Sequence, residues 1–422
     1  MRPIPSSAAG EPCLKSKRER EVDARVKLVA DARRMLQCLE TRTITPAPRR
    51  SSRPASIYTD PALFEKEQQR VFRRVPLMLA ASCELPRPGD YKVMDVAGIP
   101  LLVVRGQDGV VRTLLNACTH RGARLARDCG HAARFTCPYH AWSFRLDGSL
   151  LAVASRDVFG DVDPGEGALV AFPTTERAGL IWAILDPAAE PAFDAFLGGF
   201  DRMIAGFGFD KWHHFESRSL PGANWKLAFD AHLEFYHLPV LHRATFGPKI
   251  SNLAEYFYHG PHQRLGLVTH ADHVLEQDDV AALGALPESD WPMNSLLFGE
   301  WIIFPNVSIN CFYKGGRGVI LSQVFPGASV GESVTVQTFL HEHPPADELL
   351  ADAQAMSEFL GQVVGSEDLP MSRDQQAVMA SGLLGQVHFG RNEGGVQHFH
   401  EWIDRFVEAP SDMPLDAIMQ RG

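Results

Sequence analysis

Two cysteine-histidine pairs constrain this chain more than any other feature. In Asn116-Ala-Cys-Thr-His-Arg-Gly-Ala123, Cys118 stands two residues before His120; sixteen residues intervene before Cys137-Pro-Tyr-His140-Ala-Trp142. Two thiolates and two imidazoles in this split arrangement suit a [2Fe-2S] cluster held asymmetrically, with both thiolates on one iron and both imidazoles on the other. Neutral imidazoles remove negative charge, so such a cluster is easier to reduce than an all-cysteine one. Tetrahedral Zn(II) also accepts two Cys and two His, but zinc fingers pair like with like, whereas each pair here is mixed. Cys129-Gly-His131 repeats the mixed pair, yet only five residues separate His131 from Cys137. That leaves too little chain for two opposed ligand loops, so it is read as a loop pair without metal.

The surrounding segment has the pattern of a small β framework. From Val75 to about Leu185, short β-type runs alternate with turn signals. Asp108-Gly109 separates Leu101–Val104 from Val110–Leu115, and Asp147-Gly148 separates Trp142–Leu146 from Leu150–Val153. Both fit tight hairpins, so a mostly antiparallel domain is expected over residues 56–185. Pro187 to Pro191 marks a boundary, after which strand-like runs (Trp301–Ile309, Val319–Phe325) mix with a helical one (Leu349–Val364). An α+β second domain is expected over residues 186–422, the chain being too long for one core. Residues 1–55 read as an extension without chemistry: a charged surface helix over Val22–Leu39, then the Pro/Ser/Arg-rich linker Thr45–Pro54. Asp60-Pro61 reads as an N-cap and first-turn proline opening a helix through Val71.

A second constellation lies in Asn224-Trp-Lys-Leu-Ala-Phe-Asp230-Ala-His-Leu-Glu234-Phe-Tyr-His237-Leu-Pro-Val-Leu-His242. The run is helical in character up to Pro239, and Asp230, Glu234 and His237 fall on one helix face. His237 and His242 would stand about 140° apart on an unbroken helix. Pro239 is expected to break it and free His242 to turn inward. Two histidines and one carboxylate form a facial triad that leaves positions open on Fe(II). The carboxylate must come from further along the chain, where Glu367, Asp368 and Asp374 are the candidates. Among seventeen histidines, the pairs His213/His214, His341/His343 and His398/His400 are assigned no metal, because none sits with a matching acid and helix break. His232 flanks the proposed site.

A formal charge of −10 argues against a nucleic-acid partner; the basic stretch Lys15 to Arg20 is read as a solvated face. No apolar run approaches the ~20 residues of a membrane helix, and Met1-Arg2-Pro3 lacks an apolar signal core. A cytoplasmic protein without a membrane partner is expected. Seven scattered cysteines disfavour a disulfide framework.

From about Tyr58 to Val153 the chain resembles the Rieske domain of ring-hydroxylating oxygenase alpha subunits, on the His-Arg-Gly-Ala and Cys-Pro-Tyr-His-x-Trp motifs. Respiratory Rieske proteins carry two further cysteines as a disulfide beside the cluster; Ala123 and Tyr139 stand there in this chain. The resemblance extends over roughly residues 58–405, including Glu393-Gly-Gly-Val-Gln-His-Phe-His-Glu-Trp402. It implies an antiparallel β Rieske domain plus a helix-grip (START-like) catalytic domain. It also implies a cluster on Cys118, His120, Cys137 and His140, and Fe(II) on His237, His242 and a third ligand. Asp368 is the acid most like the family's ligand, with Gln376 and Ser381 also where the family has them, and Glu367 and Asp374 stay open.

Glu234, three residues before His237, is implied to bridge to His140 of a neighbouring subunit in a head-to-tail homotrimer, with or without a beta subunit. Glutamate there is typical of the branch acting on quaternary amines. Electrons from NAD(P)H are implied to arrive through a separate reductase or ferredoxin, since the chain has no Gly-rich dinucleotide fingerprint. O2 and a small substrate complete the reaction. An aromatic or largely apolar substrate is expected, with hydroxylation or N-dealkylation of a quaternary amine as the alternative. Two weaker readings are an electron carrier using only the cluster and a binding module with degenerate metals. Phe235, Leu238, Leu241, Phe246 and Leu297 are candidate pocket residues, although such side chains more often fill plain core.

Overall fold

The computed structural model describes residues 17–163, 165–247, 250–268, 280–313, 316–344 and 347–420; the start of the basic Lys15 to Arg20 stretch lies outside them. Both Asp-Gly pairs turn hairpins. Gly109 (φ 77°) donates to the Gly106 carbonyl at 3.0 Å, and Gly148 (φ 87°) to that of Arg145 at 3.0 Å. Left-handed backbone at these corners suits glycine, which has no Cβ to clash.

The hairpins build a five-stranded antiparallel sheet in the order Ala171–Phe172, Val111–Leu115, Ile99–Arg105, Asp90–Val96, Gly130–His131. A three-stranded sheet of Phe135–Thr136, Ser143–Phe144 and Leu150–Ala152 stands beside it. Leu102, Val104, Leu114, Phe135, Phe144 and Leu146 form a small core between them, with Cys118 and Cys137 in the same cluster. Each large apolar side chain buried this way contributes about 1.5–3 kcal/mol. A third sheet, Thr174–Arg177, Leu180–Ala183 and Leu77–Ala81, joins the main core instead.

The second half centres on a seven-stranded antiparallel sheet. Its order is His213–Gly222, Ser333–His341, Arg317–Pro326, Val307–Tyr313, Glu300–Ile303, His262–Leu267, Ala254–His259. The single expected run Trp301–Ile309 is two strands, paired Ile303 to Val307 across a turn containing Pro305. Proline cannot donate to a ladder, so the strand ends there. The helix Asp347–Val363 passes through a π-helical turn, Val364–Asp368, into the helix Leu369–Ala380. The helix Gly394–Glu408 buries Val396, Phe399, Ile403 and Phe406 along one stripe.

Asp60 caps the helix Pro61–Glu67 by accepting the Ala62 amide at 2.8 Å. At the far end of that helix Glu67, fully buried, pairs with buried Lys226 and accepts Trp225 Nε1 at 2.8 Å. The helix Trp225–Asp230 is thereby tied to the core just before the second constellation.

The N-terminal helix runs from Lys17 to Thr41, longer than expected, and it is not merely a charged surface element. Ala24, Leu28, Ala32, Met35 and Cys38 bury one face in the main core, a stripe the many charges mask in the sequence. Arg25 donates to the Trp291 carbonyl (2.9 Å), Arg33 to both oxygens of Glu288 (2.8 Å each) and Arg34 to Glu255 (2.8 Å). Asp31 pairs with buried Arg264 at 3.0 Å. The end of the expected linker is also structured: Ser51–Pro54 pairs antiparallel with Gln386–Phe389. Among the described residues no helix is long and apolar enough to cross a membrane.

Candidate metal centres and their cavity

Two matching loops present the first constellation. In one, Cys118 donates its amide to the Ala123 carbonyl (2.8 Å) and accepts the Gly122 amide (2.8 Å). In the other, Cys137 donates to Trp142 (2.7 Å) and accepts Ala141 (3.0 Å). Each loop closes on a left-handed residue, Gly122 at φ 75° and Ala141 at φ 57°. The closures bring the His120 and His140 rings to 4.8 Å, with Trp142 stacked on His120 at 5.0 Å.

The residues fit a cluster. Nδ1 of His120 and Nδ1 of His140 are buried with no hydrogen-bond partner among the described residues, and both cysteines are free and buried. An orphaned buried nitrogen costs about 1–3 kcal/mol unless something else binds it. Burial, followed by the neighbouring His140 and Arg121, holds His120 below the ordinary imidazole pKa and so favours the neutral form a metal takes. The second mixed pair faces elsewhere: His131 Nδ1 meets Asp90 at 2.9 Å and Cys129 is exposed.

The second constellation departs from the expected helix. Asn224 caps the helix Trp225–Asp230 by accepting the Lys226 amide at 3.0 Å, and the helix stops at Asp230 rather than at Pro239. Glu234 accepts the Tyr236 amide, and that of His237 at 3.2 Å, so its carboxylate replaces helical carbonyls as their partner. Gly395 permits the bend, since a Cβ there would collide with the Leu233 carbonyl oxygen. Pro239 opens a new helical turn, Leu238–Leu241, where its missing amide costs nothing. Asp230 therefore does not share a face with His237; it accepts the Tyr58 hydroxyl at 2.5 Å and lies 3.1 Å from His400 Nε2.

The broken geometry gathers His237, His242 and Asp368, one ligand atom of each lying within 4.8 Å of the others. Asp368 Oδ1 lies 3.8 Å from His237 Nε2 and 3.2 Å from His242 Nε2, is buried, and satisfies no hydrogen-bond geometry. On the far sides of the rings, His237 Nδ1 meets Glu234, and His242 Nδ1 meets Glu367 Oε2 at 2.5 Å. Glu367 Oε1 also accepts the Thr245 hydroxyl at 2.5 Å. Burial pushes the His242 imidazole down, but Asp368 and Glu367 together outweigh it and leave its pKa raised. Two imidazoles, each backed by a carboxylate and aimed at an orphaned acid, fit a cation. The π-helical turn swings Glu367 and Asp368 to this one point, a known use of such bulges. Exposed Asp374 is not among the gathered residues.

These side chains open onto a cavity of about 650 Å³ walled by one face of the large sheet and the helix Asp347–Val363. Phe235, Leu238 and Phe246 line it as expected; Leu297 is buried in the core and Leu241 is not part of the wall. Sequence reasoning missed Glu300, a buried acid on the wall 3.3 Å from His232 Nδ1, and Met35, Leu39 and Arg42 from the extension. The other histidine pairs are engaged locally: His214 with Ser217 (2.9 Å), His341 with the His343 carbonyl (3.2 Å) and His398 with the Gly260 carbonyl (2.8 Å).

A Rieske-type cluster fold joined to a helix-and-sheet domain with a His-His-Asp site defines a class of alpha subunits. The chain belongs to that class, the Rieske-type ring-hydroxylating oxygenase alpha subunits. The Rieske [2Fe-2S] domain family model matches residues 75–159, and that of the ring hydroxylating alpha subunit (catalytic domain) matches residues 209–409. The glycine betaine monooxygenase oxygenase subunit of Chromohalobacter salexigens is 35% identical over 188 residues, 44% of this chain and 42% of that protein. The match thus spans under half of that relative. The carnitine monooxygenase oxygenase subunit of Escherichia coli is 28% identical over 365 residues, 83% of this chain and 92% of that one. Two solved structures share the fold. The apo form of the quaternary ammonium Rieske monooxygenase CntA has a TM-score of 0.69 at 23% identity, covering 85% of this chain and 96% of that one. Naphthalene 1,2-dioxygenase from Rhodococcus has 0.70 at 21%, covering 94% and 100%.

Proposed function

We propose that this chain is the terminal oxygenase component of a multi-protein system. In this reading Cys118, His120, Cys137 and His140 hold a [2Fe-2S] cluster, and His237, His242 and Asp368 hold Fe(II). One observation carries it: both histidine Nε2 atoms converge on the orphaned Asp368 carboxylate while both Nδ1 atoms are held by other acids. An electron carrier would need only the first constellation. When bound, the cluster supplies electrons and the iron supplies O2 chemistry.

The protein's part is positional. Glu234 and Glu367 hold the proton on each Nδ1, which leaves each Nε2 lone pair free for a metal. The largely apolar wall limits the water around the site. Glu234 is the proposed bridge to His140 of a neighbouring subunit in a head-to-tail trimer. In support, Tyr139 beside His140 and Tyr236 beside His237 are both exposed, as surfaces that meet in an assembly must be. A reductase or ferredoxin donor and a cytoplasmic setting complete the reading.

For substrate, the proposal favours a quaternary amine. Glu300 lines the cavity together with Phe235, Phe246, Phe298, Phe312 and Phe359, and ring faces plus an acid suit a cation that has no hydrogen to donate. Glutamate at position 234 and the names of the two relatives agree with it. The abundance of phenylalanine keeps an aromatic substrate as the second reading.

The test is to reduce the purified protein anaerobically, add labelled O2 with a panel of quaternary amines and aromatic acids, and follow cluster reoxidation and product mass. A label-bearing product or released aldehyde that disappears in His237→Ala, with the cluster spectrum intact, is expected. Product formation undiminished in His237→Ala would refute the second site's role.

A further inference from the structure

We infer that the N-terminal helix belongs to the substrate site, and that Arg42 at its end binds a carboxylate on the substrate. This deepens the oxygenase reading and rests on it for the identity of the cavity.

The wall is built, not incidental. Met35, Leu39 and Arg42 line the cavity, and Met35 packs so closely that a Cβ on Gly266 would lie 2.6 Å from its sulfur. The ion pairs of Asp31 and Arg34 to Arg264 and Glu255 hold the helix against the large sheet that forms another part of the wall, and Arg33 pairs with Glu288 on the turn Glu288–Asp290.

Arg42 is the one lysine or arginine among the described lining residues, and no described hydrogen bond or ion pair engages it. It is exposed as well as cavity-lining, so solvent reaches the side chain. The helix ends there on a left-handed residue (φ 56°), closed by the Thr43 amide donating to Cys38 at 3.3 Å. Glycine or asparagine is the usual choice at such a position, and arginine gains nothing from it conformationally. Glu300 and Asp368 place the acids on the buried wall and beside the two histidines, and Arg42 places a cation on the exposed part of the wall. A guanidinium fork matches a carboxylate in two parallel hydrogen bonds. The fitting ligand has an apolar or cationic inner end and an anionic outer end.

The test is calorimetric binding to the holoprotein of two matched pairs, γ-butyrobetaine and 4-phenylbutyrate, each against its methyl ester. The native protein should bind at least one acid about tenfold or more tightly than its ester, the scale of one charged hydrogen-bonded pair. Arg42→Gln should abolish that preference while leaving ester affinity unchanged, which also shows that the cavity is intact; Arg42→Lys should retain part of it. The proposal is overturned if the native protein shows no preference for either acid, absence of all binding included, or if the preference survives in Arg42→Gln. Turnover measured in parallel separates the two readings: acid-selective binding without turnover of any panel compound counts against the oxygenase reading alone.

Discussion

Replacing Glu367 tests how the π-helical turn divides labour between its two acids. Glu367 lies 2.5 Å from His242 Nδ1 and 2.5 Å from the Thr245 hydroxyl, while Asp368 faces His242 Nε2 at 3.2 Å. In Glu367→Ala the ring loses the contact that fixes its proton and orientation, but every proposed ligand stays. Loss of such an outer partner lowers metal affinity about 10–100-fold, or about 1.4–2.7 kcal/mol. The carboxylate is 22% exposed, so water replaces part of the lost contact and the lower half of that range is expected. Anaerobic Fe(II) titration against a competing chelator measures it, with the cluster's visible absorption as the internal control. Glu367→Gln, which keeps an oxygen acceptor, should lose less, and Asp368→Asn, which removes an ionised ligand, should lose more. If Glu367→Ala loses more iron affinity than Asp368→Asn, the ligand assignment is reversed and the reasoning fails.

Two further outcomes follow from buried groups away from the two candidate metal sites. Lys226→Met strands the Glu67 carboxylate in the core and should cost about 3–5 kcal/mol by urea denaturation, most of it recovered when Glu67 also becomes apolar; a cost under about 1 kcal/mol would show the pair is not confined as described. His262 accepts the Phe304 amide at Nδ1 (3.2 Å) and donates from Nε2 to the Phe196 carbonyl (3.1 Å), and burial pushes its pKa down to about 3. The unfolded chain takes up a proton below about pH 6.5 that the folded chain refuses, so stability should fall from there toward pH 3 by up to about 1.4 kcal/mol per pH unit. Denaturation across pH 5 to 7 (about 1.5 units of it below the unfolded pKa) compared with His262→Asn measures that slope, and equal slopes would remove His262 as its source.

Local patterns were the legible part. The Asp-Gly corners turned where expected because a tight hairpin is decided by the residues in it. The Cys-x-His and Cys-x-x-His segments form matching loops because each closes within its own few residues. What the sequence hid depends on partners far along the chain. The helix expected to reach Pro239 ends early because Glu234 captures two amides and because Gly395, distant in sequence, leaves room for the bend. The π-helical turn has no period of its own, so the adjacent acids Glu367 and Asp368 could not be assigned separate contacts beforehand. The N-terminal helix was dismissed on its charges, although those same charges anchor it to residues more than two hundred positions away.

That helix, Lys17–Thr41, precedes both segments matched by the family models, residues 75–159 and 209–409. The turns that gather the proposed ligands and the part of the cavity wall that this helix supplies are therefore written in separable stretches of the gene. If the proposed role of Arg42 holds, mutations in the leading segment retune which molecules bind while leaving both candidate metal sites in place. Kinship measured over the matched segments leaves unread a piece of the text that helps to wall the cavity.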